Sequence, residues 1–342
     1  MTEPAATGLR LVHEHGLALR ISYRRRDLLR YVYRPWDAQV ESPRPYFHPL
    51  WTLGGDVVTL YRPHDHVWHK GIAWSLPNVG PDNFWGGPTY TRDAGYQQLP
   101  NNGTMRHREF ERITAADDTV SIVQLLDWVT ESGETVIAER RGFAVGVDEP
   151  AGAWTLAFTT DLTNVSGHEI VIGSPTTEGR PNAGYGGLFW RGPRSFSGGR
   201  VYAPGVTGGD ELMGVRAPWL AFGGQHDEHA RTSTLVFVDA PDNPDHPPQW
   251  FVRTGIFACV CPAPFFGTEV VVAPDTSLSY RYAVVIADGD PGVNGAGRLA
   301  KTGLATLSAL GQGCSGRPVP MLMIVDHAAG SAGSGGADAQ TT

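Results

Sequence analysis

Cysteine is scarce in this chain, with three residues among 342. Three cysteines cannot form the disulfide framework that holds small secreted domains together. Cys259 and Cys261 lie on one face of a predicted strand, where they are poorly placed to bond each other, and Cys314 lies far along the chain. We expect a buried, reduced pair of thiols. This cysteine usage predicts a cytoplasmic protein.

Long apolar runs and clusters of positive charge are also missing. No stretch approaches the ~20 consecutive apolar residues of a membrane helix, and the N-terminus lacks the charged and apolar regions of a signal peptide. A net charge of −8 argues against nucleic acid, because its binding rewards clustered Lys and Arg. The run Arg24 to Arg26 is expected to be a solvated turn. We therefore predict no nucleic-acid partner and no membrane partner.

Glycine and proline are abundant, with 43 and 26 residues, which favours many short strands joined by turns. The predicted strands are 17–23, 27–34, 57–61, 70–76, 120–129, 135–147, 153–165, 168–175, 200–205, 218–225, 233–240, 250–262, 267–274 and 277–288. One helix is predicted at 297–313, where leucines recur at near-helical spacing. We predict an all-β protein of two antiparallel sheets packed face to face, as a single domain over 1–311. A tail over 312–342 should be mostly disordered after about residue 327.

The densest group of functional side chains lies between Pro43 and Gly87, where four of the twelve histidines stand among many aromatic residues. In an extended chain, successive side chains of 64–70 would point to opposite faces, but a bend at Pro63 or Asp65 could bring His66 and His69 together. Imidazoles bind metals or move protons near neutral pH. Three interpretations stay open: a divalent-metal site with candidate ligands His48, His66 and His69, a metal-free acid–base site, and histidines that only satisfy a loop.

The segment 173–196 is too long for a tight turn and too rich in functional side chains for a plain connection. It places the carboxylate of Glu178 beside the cation of Arg180, a pairing suited to a general base or an anion clamp. A surface salt bridge is the alternative. The candidate catalytic residues are thus His66, His69 and Glu178. The candidate substrate-binding residues are His48, Lys70, Trp85, Arg180, Tyr185, Trp190, Arg191 and Arg253.

A third segment, 239–255, contains Asp242, Asn243, His246, Trp250 and Arg253 among four prolines, which stiffen the backbone. It is interpreted equally as a pocket wall or as a rigid strand connection. No phosphate-binding loop, dinucleotide fingerprint or serine nucleophile elbow accompanies these segments.

Taken together, these segments resemble one bacterial family, known as PmoA-like or DUF6807. The motifs that carry the resemblance are RPYFHPLWT, HDHVWHKGI, DNFWG, SPTTEGRPNAGYGGLFWRGP and DNPDHPPQWFVR, and the resemblance extends from about Leu17 to Asp288. It implies a two-sheet β-supersandwich similar to galactose mutarotases, with a histidine acid, a glutamate base and an arginine that holds the sugar. It also implies a carbohydrate partner and a functional link to sugar oxidoreductases.

Three functions follow as hypotheses. The first is acid–base chemistry on a sugar by an epimerase or isomerase, a lyase or a hydrolase, with Trp68, Trp85 or Trp190 stacking on the ring. The second is a metal-dependent enzyme that acts on keto-sugars through the histidine cluster. The third is a sugar-binding module without catalysis. The cofactor stays unknown, with a divalent metal left open.

Overall fold

The computed structural model describes residues 8–116, 118–311 and 323–325. Its first twelve strands are β1 (Leu9–Glu14), β2 (Ala18–Tyr23), β3 (Arg26–Val32), β4 (Tyr46–Leu50), β5 (Ile72–Ser75), β6 (Asn78–Val79), β7 (Thr89–Thr91), β8 (Gly95–Gln97), β9 (Thr104–Ala115), β10 (Val120–Val129), β11 (Thr135–Asp148) and β12 (Ala153–Asn164). The later strands are β13 (Ile170–Gly173), β14 (Gly187–Arg191), β15 (Arg200–Ala203), β16 (Val206–Gly208), β17 (Trp219–Gln225), β18 (Thr232–Asp239), β19 (Gln249–Arg253), β20 (Cys259–Ala263), β21 (Glu269–Val272), β22 (Ser277–Asp288) and β23 (Met323–Val325). Helix α1 (Gly292–Gly311) lies between β22 and β23.

The strands form two large antiparallel sheets. The eight-stranded sheet has the order β1-β2-β3-β4-β5-β14-β20-β19, and the nine-stranded sheet has the order β16-β15-β17-β18-β22-β12-β11-β10-β9. Two small sheets, β23-β21-β13-β6 and the hairpin β7-β8, complete the described strands. The all-β prediction with one C-terminal helix is therefore confirmed.

The two large sheets bury one shared core between them. In β22 the side chains of Tyr282, Val284 and Ile286 join this core, whereas Ala283 and Val285 point to the opposite face. Strand geometry requires this alternation, because successive side chains leave a strand on opposite sides. Small residues on the outer face let α1 pack closely against the sheet. None of the described helices is both long and apolar enough to cross a bilayer.

The outer face of the eight-stranded sheet carries a second apolar layer. In β14, Leu188 and Trp190 belong to the shared core, while Phe189 points outward. Phe251 from β19 and Cys261 from β20 join Phe189 on this outer face. Aromatic rings thus cover one end of the sheet, and this is where the candidate functional site lies.

The predicted strands that pair with the next strand along the chain are confirmed. The hairpin β2-β3 turns at Arg24 and Arg25, both with positive φ, as the predicted solvated turn. The strands 120–129, 135–147 and 153–165 are β10, β11 and β12 within a residue. Cys259 and Cys261 are buried and free, as expected. The tail 312–342, with Cys314 and the predicted disorder, lies outside the described residues except for β23.

Two predicted strands are wrong. Residues 57–61 form only isolated bridges, because Val58 bonds to Leu50 and Leu60 to Arg191, so the segment pairs with different neighbours in turn. Residues 250–262 are the two strands β19 and β20, since the chain leaves the sheet at Thr254 and returns at Cys259. The helix begins at Gly292, five residues earlier than predicted. The strands that were not predicted are β1, β4, β6, β7, β8, β9, β14, β16 and β23.

Candidate functional site

A cavity of about 500 Å³ opens on the outer face of the eight-stranded sheet. Its size falls within the range of pockets that enclose small molecules. Three groups of side chains line it. The imidazole wall consists of His66, Trp68, His69 and Phe257, the cationic wall of Tyr96, Arg180, Asn182 and Arg253, and the aromatic floor of Trp85, Tyr185, Phe189 and Phe251.

The imidazole wall owes its shape to two consecutive turns. The amide of His66 donates to the carbonyl of Pro63, and the amide of His69 donates to the carbonyl of His66. This bend puts the rings of His66 and His69 side by side, with centroids 4.7 Å apart and planes 19° apart. The bent alternative of the sequence analysis is therefore the one observed.

His69 is buried and neutral. Burial lowers its pKa well below the usual value, and the charges of His66 and Arg191 add to that effect. Arg191, which is also fully buried, approaches the Nδ1 of His69 with Nη1 at 3.2 Å. Because arginine can only donate, Nδ1 is the acceptor and the ring proton resides on Nε2. Arg191 thus holds His69 in the tautomer whose Nε2–H can donate a hydrogen bond.

In His66 the Nδ1 atom faces an acceptor, whereas in His69 it faces a donor. The Nδ1 of His66 lies 3.1 Å from the carboxylate of Asp65, which also accepts from Arg194 at 2.9 Å. Burial raises the pKa of Asp65, but these hydrogen bonds and the charge of Arg191 outweigh it, so the pKa lies well below the usual value. The ionised carboxylate accepts from Nδ1–H, which leaves Nε2 of His66 as an acceptor. The wall therefore pairs a hydrogen-bond acceptor with a donor.

Two glycines position Trp68 beside these histidines. A Cβ at Gly86 would lie 2.7 Å from the Cβ of Trp68, and a Cβ at Gly87 would lie 2.8 Å from its ring. Both glycines have positive φ. Only glycine combines this backbone conformation with such close packing.

Arg180 and Asn182 of the cationic wall lie on the loop between β13 and β14, and hydroxyl groups hold that loop. Ser174 Oγ donates to the carbonyl of Phe266 at 2.9 Å, and Thr176 Oγ1 accepts from the amide of Ala183, also at 2.9 Å. The amide of Arg180 donates to the carbonyl of Pro175. These bonds give the long loop a defined course over the sheet.

Tyrosines and a backbone carbonyl orient the two arginines of this wall. Arg180 donates through Nη1 to the hydroxyl of Tyr96, which lies 2.9 Å from the hydroxyl of Tyr185. Arg253 donates through Nη2 to the carbonyl of Asn182 at 3.2 Å. Tyr96 reaches the cavity from the β7-β8 hairpin, and Arg253 from the end of β19. Four separate chain segments therefore build the cavity.

The cavity brings together six of the predicted site residues, with a seventh behind them. Trp85, Tyr185, Arg180 and Arg253 line it together with the two histidines, and Arg191 stands behind His69. Among the described residues, Glu178 is not part of the lining. Trp190 lies in the shared core, where its Nε1 donates to the carbonyl of Val58.

His48 and Lys70 lie away from the cavity. The Nδ1 of His48 is 2.9 Å from Thr59 Oγ1, and the ring stacks on Tyr61. Lys70 is fully buried in an ion cluster with Asp37 and Glu41. Within residues 8–116, 118–311 and 323–325, no group of three His, Cys, Asp or Glu side chains is placed to hold a metal ion. The three histidines proposed as metal ligands are therefore not assembled as one set.

The third segment is a rigid connection rather than a pocket wall, apart from Phe251 and Arg253. The buried carboxylate of Asp239 accepts from Asn243 Nδ2 and lies 2.6 Å from His246 Nδ1. Burial raises the pKa of Asp239 to about 6. Trp250 belongs to the shared core. The prolines stiffen the connection that leads into β19, and Arg253 at the end of this strand lines the cavity.

Sequence reasoning missed several lining residues, among them Tyr96, Asn182, Phe189, Phe251 and Phe257. Phe257 lies on the β19-β20 turn, which the sequence analysis took for the middle of a strand. Its ring is 3.9 Å from the guanidinium carbon of Arg191. Gly255 before it was the available indication of a turn. Tyr96 stands in a short hairpin whose position over the cavity has no sequence signature.

Comparison with known proteins gives one family and several distant structures. The family model described as "Family of unknown function (DUF6807)" matches residues 18–301. None of the curated proteins matches the sequence significantly.

Among solved structures, the chain is similar to a GH36 α-galactosidase variant, AgaA from Geobacillus stearothermophilus, in complex with 1-deoxygalactonojirimycin (11% identity, TM-score 0.37, 85% of this chain and 42% of that chain). It is also similar to the α-galactosidase from Lactobacillus brevis (9%, 0.38, 85% and 40%). A third is a protein from Klebsiella pneumoniae subsp. pneumoniae described as an aldose 1-epimerase (10%, 0.32, 87% and 86%). The chain spans about two fifths of the length of the galactosidases. All three are sugar-processing proteins by name. Their TM-scores are low, so these similarities carry no conclusion about the chemistry of the cavity, which depends on its own residues.

Proposed function

The chain belongs to the family of unknown function DUF6807, and we propose that it performs acid–base chemistry on a sugar in the cavity of the outer sheet face. In this proposal His66 is the general base and His69 is the hydrogen-bond donor. The reaction class is proton transfer at a carbon atom, as in an epimerase, an isomerase or a lyase. The stacked pair of imidazoles, one backed by a carboxylate and one by an arginine, is the observation that carries the proposal.

The two rings divide the work that such a reaction needs. A proton next to a carbonyl is removed by a base, and the oxygen that gains negative charge needs a donor. Asp65 orients His66 so that Nε2 can take the proton, and it stabilises the imidazolium that forms. Arg191 keeps the Nε2 proton on His69, so a neutral imidazole can donate to the oxygen.

The remaining lining supports a carbohydrate as the reactant. The rings of Trp85, Tyr185 and Phe189 offer apolar faces against which the C–H face of a sugar ring can pack. Asn182 and the arginines supply donors for hydroxyl groups. Small-molecule sites commonly combine an apolar lining with a few placed polar groups in this way.

The test measures proton exchange in deuterium oxide. A panel of neutral and acidic aldoses and ketoses is incubated with the protein, and loss of C–H signals is followed by NMR. We expect exchange with at least one sugar, and His66→Gln should slow it by about 100- to 10,000-fold. The matched control is His64→Gln, because His64 lies in the same loop and contacts Arg194 but is not part of the lining.

Two outcomes would contradict the proposal. Equal exchange rates in His66→Gln and the parent would remove His66 as the base. Binding of sugars, measured by tryptophan fluorescence, without any exchange or other turnover would assign the protein as a binding module.

A further inference from the structure

Resting on the proposed function, we propose that the sugar carries a negatively charged group, a carboxylate or a phosphate, which binds between Arg180 and Arg253 on the cationic wall. The chain as a whole has a net charge of −8. Yet among the described residues that line the cavity, Arg180 and Arg253 are the side chains with a full charge, and both are positive. The local charge of the cavity is thus opposite to that of the whole protein.

Neither arginine forms an ion pair with a carboxylate in the described chain, although the charge of Arg253 helps to lower the pKa of Asp210. Other arginines pair with carboxylates, such as Arg216 with Asp245 at 2.8 Å. Arg180 instead donates to the hydroxyl of Tyr96, and Arg253 to the carbonyl of Asn182, both of which are neutral acceptors. Guanidinium groups favour carboxylates and phosphates, which they can bind through two parallel hydrogen bonds.

An acid does lie close to Arg253, but it has other partners. Oδ1 of Asp210 accepts from the amide and the hydroxyl of Thr254 and from the amide of Gly255, which directly follow Arg253. Asp210 therefore fixes the turn after β19 rather than forming an ion pair with Arg253. The guanidinium group keeps its charge for a ligand.

Both arginines are ordered before a ligand binds. The guanidinium carbon of Arg180 lies 4.7 Å from the centroid of the Tyr96 ring, and that of Arg253 lies 5.6 Å from the centroid of Phe251. The bond from Arg253 to Asn182 connects the end of β19 to the loop that carries Arg180. Side chains held in place lose less conformational entropy on binding.

The position of the cationic wall fits a ligand that spans the cavity. Trp85 contacts His69 on one side, with ring centroids 5.9 Å apart, and Tyr185 on the other side, 4.7 Å apart. Tyr185 in turn contacts Tyr96 of the cationic wall. An acidic group held by the arginines would leave the sugar ring over the aromatic floor and another part of the sugar beside the imidazoles.

Isothermal titration calorimetry on the full chain tests this inference. The probes are D-glucuronate, D-galacturonate, glucose 6-phosphate, neutral D-glucose and D-galactose, and inorganic phosphate. We expect an acidic sugar to bind about 10- to 100-fold more tightly than its neutral counterpart. Added salt should weaken that binding without affecting a neutral sugar. Tighter binding of a uronate would identify the charged group as a carboxylate, and tighter binding of glucose 6-phosphate would identify it as a phosphate.

Variants locate the effect. Arg180→Gln and Arg253→Gln should each remove most of the preference for the acidic sugar. Arg92→Gln is the matched control, because Arg92 also donates to a backbone carbonyl, that of Thr177, but is not part of the lining. If one of the two lining variants does not fold, the other variant and the salt dependence of the parent still decide.

Equal affinities for acidic and neutral sugars, unchanged in both lining variants, would overturn this inference and leave the proposed function standing. Inorganic phosphate that binds while every sugar fails would overturn the proposed function and this inference together, since the site would then serve a different anion. Preferential binding of an acidic sugar that persists in both lining variants would also overturn it, because another part of the chain would recognise the charge.

Discussion

Replacement of Arg191 by methionine should leave the stability of the protein nearly unchanged, although the side chain is completely buried. Arg191 donates one hydrogen bond to His69, and its Nε and Nη2 have no hydrogen-bond partner. Its guanidinium group stacks on Phe257. Met fills a similar volume without a charge.

The opposing contributions to the free energy of unfolding are similar in size. Two buried donors without partners cost about 1–3 kcal/mol each, and Arg191→Met removes that cost. The substitution loses a charged hydrogen bond of about 1.5–3 kcal/mol and a cation–π contact of about 2 kcal/mol. It also loses an ion pair of at most about 1 kcal/mol with the partly exposed Asp65, whose Oδ2 lies 3.8 Å from Nη2. We therefore expect a change of less than about 1.5 kcal/mol, together with lower turnover, because the tautomer of His69 is no longer held.

Arg141→Met is the matched control. Arg141 is equally buried, but it is bound at 2.7 and 2.9 Å by the carboxylate of Glu139. Removing it leaves Glu139 as a buried charge without its cation, which should cost about 3–5 kcal/mol. Urea denaturation followed by tryptophan fluorescence measures both variants. A loss of stability in Arg191→Met as large as that in Arg141→Met would refute the reasoning.

Three further predictions concern other parts of the molecule. Burial, with a smaller effect of Arg30, lowers the pKa of His48 from 6.5 to about 4. Between these two pH values the folded state binds fewer protons than the unfolded state. The free energy of unfolding should therefore fall by up to about 3 kcal/mol as the pH drops from 6.5 to about 4. Urea titrations at several pH values should show a smaller fall in His48→Gln, and an unchanged fall would exclude His48 as the cause. Gly87→Ala should displace the Trp68 ring and cost about 1–3 kcal/mol, visible as altered tryptophan fluorescence and a lower urea midpoint; parent-like values would contradict the packing argument. Burial raises the pKa of the Cys261 thiol to about 12, so mass spectrometry should find it alkylated by iodoacetamide only in the unfolded protein, whereas labelling in the folded state would mean that the thiol is exposed.

The strands that the sequence predicted well are those whose pattern depends on near neighbours. The segment 120–165 alternates apolar and polar residues between clear turns, so β10, β11 and β12 could be placed within a residue. The segments 57–61 and 250–262 have equally β-rich compositions. Their structure depends on which distant strand accepts each amide, as when Leu60 bonds to Arg191, and composition carries no such information.

The residues of the candidate site were likewise predicted only in part. The density of histidine and tryptophan indicated a loop that forms one wall of the cavity, where His66 and His69 lie. Glu178, only two residues from Arg180, is not part of the described lining. Residue type alone cannot separate neighbours whose side chains leave the loop in different directions. Lys70 directly follows His69, yet it turns into a buried ion cluster.

The sequence by itself determined the all-β class, the C-terminal helix and the two segments in which candidate functional residues concentrate, because composition and period-two alternation are local properties of the chain. The tertiary structure decided which residues meet. The tautomer of His69 depends on Arg191, from a strand more than a hundred residues later, and the cationic wall depends on contact between the β13-β14 loop, the β7-β8 hairpin and β19. These contacts arise from the packing of distant segments on one sheet face, and no spacing along the chain encodes them.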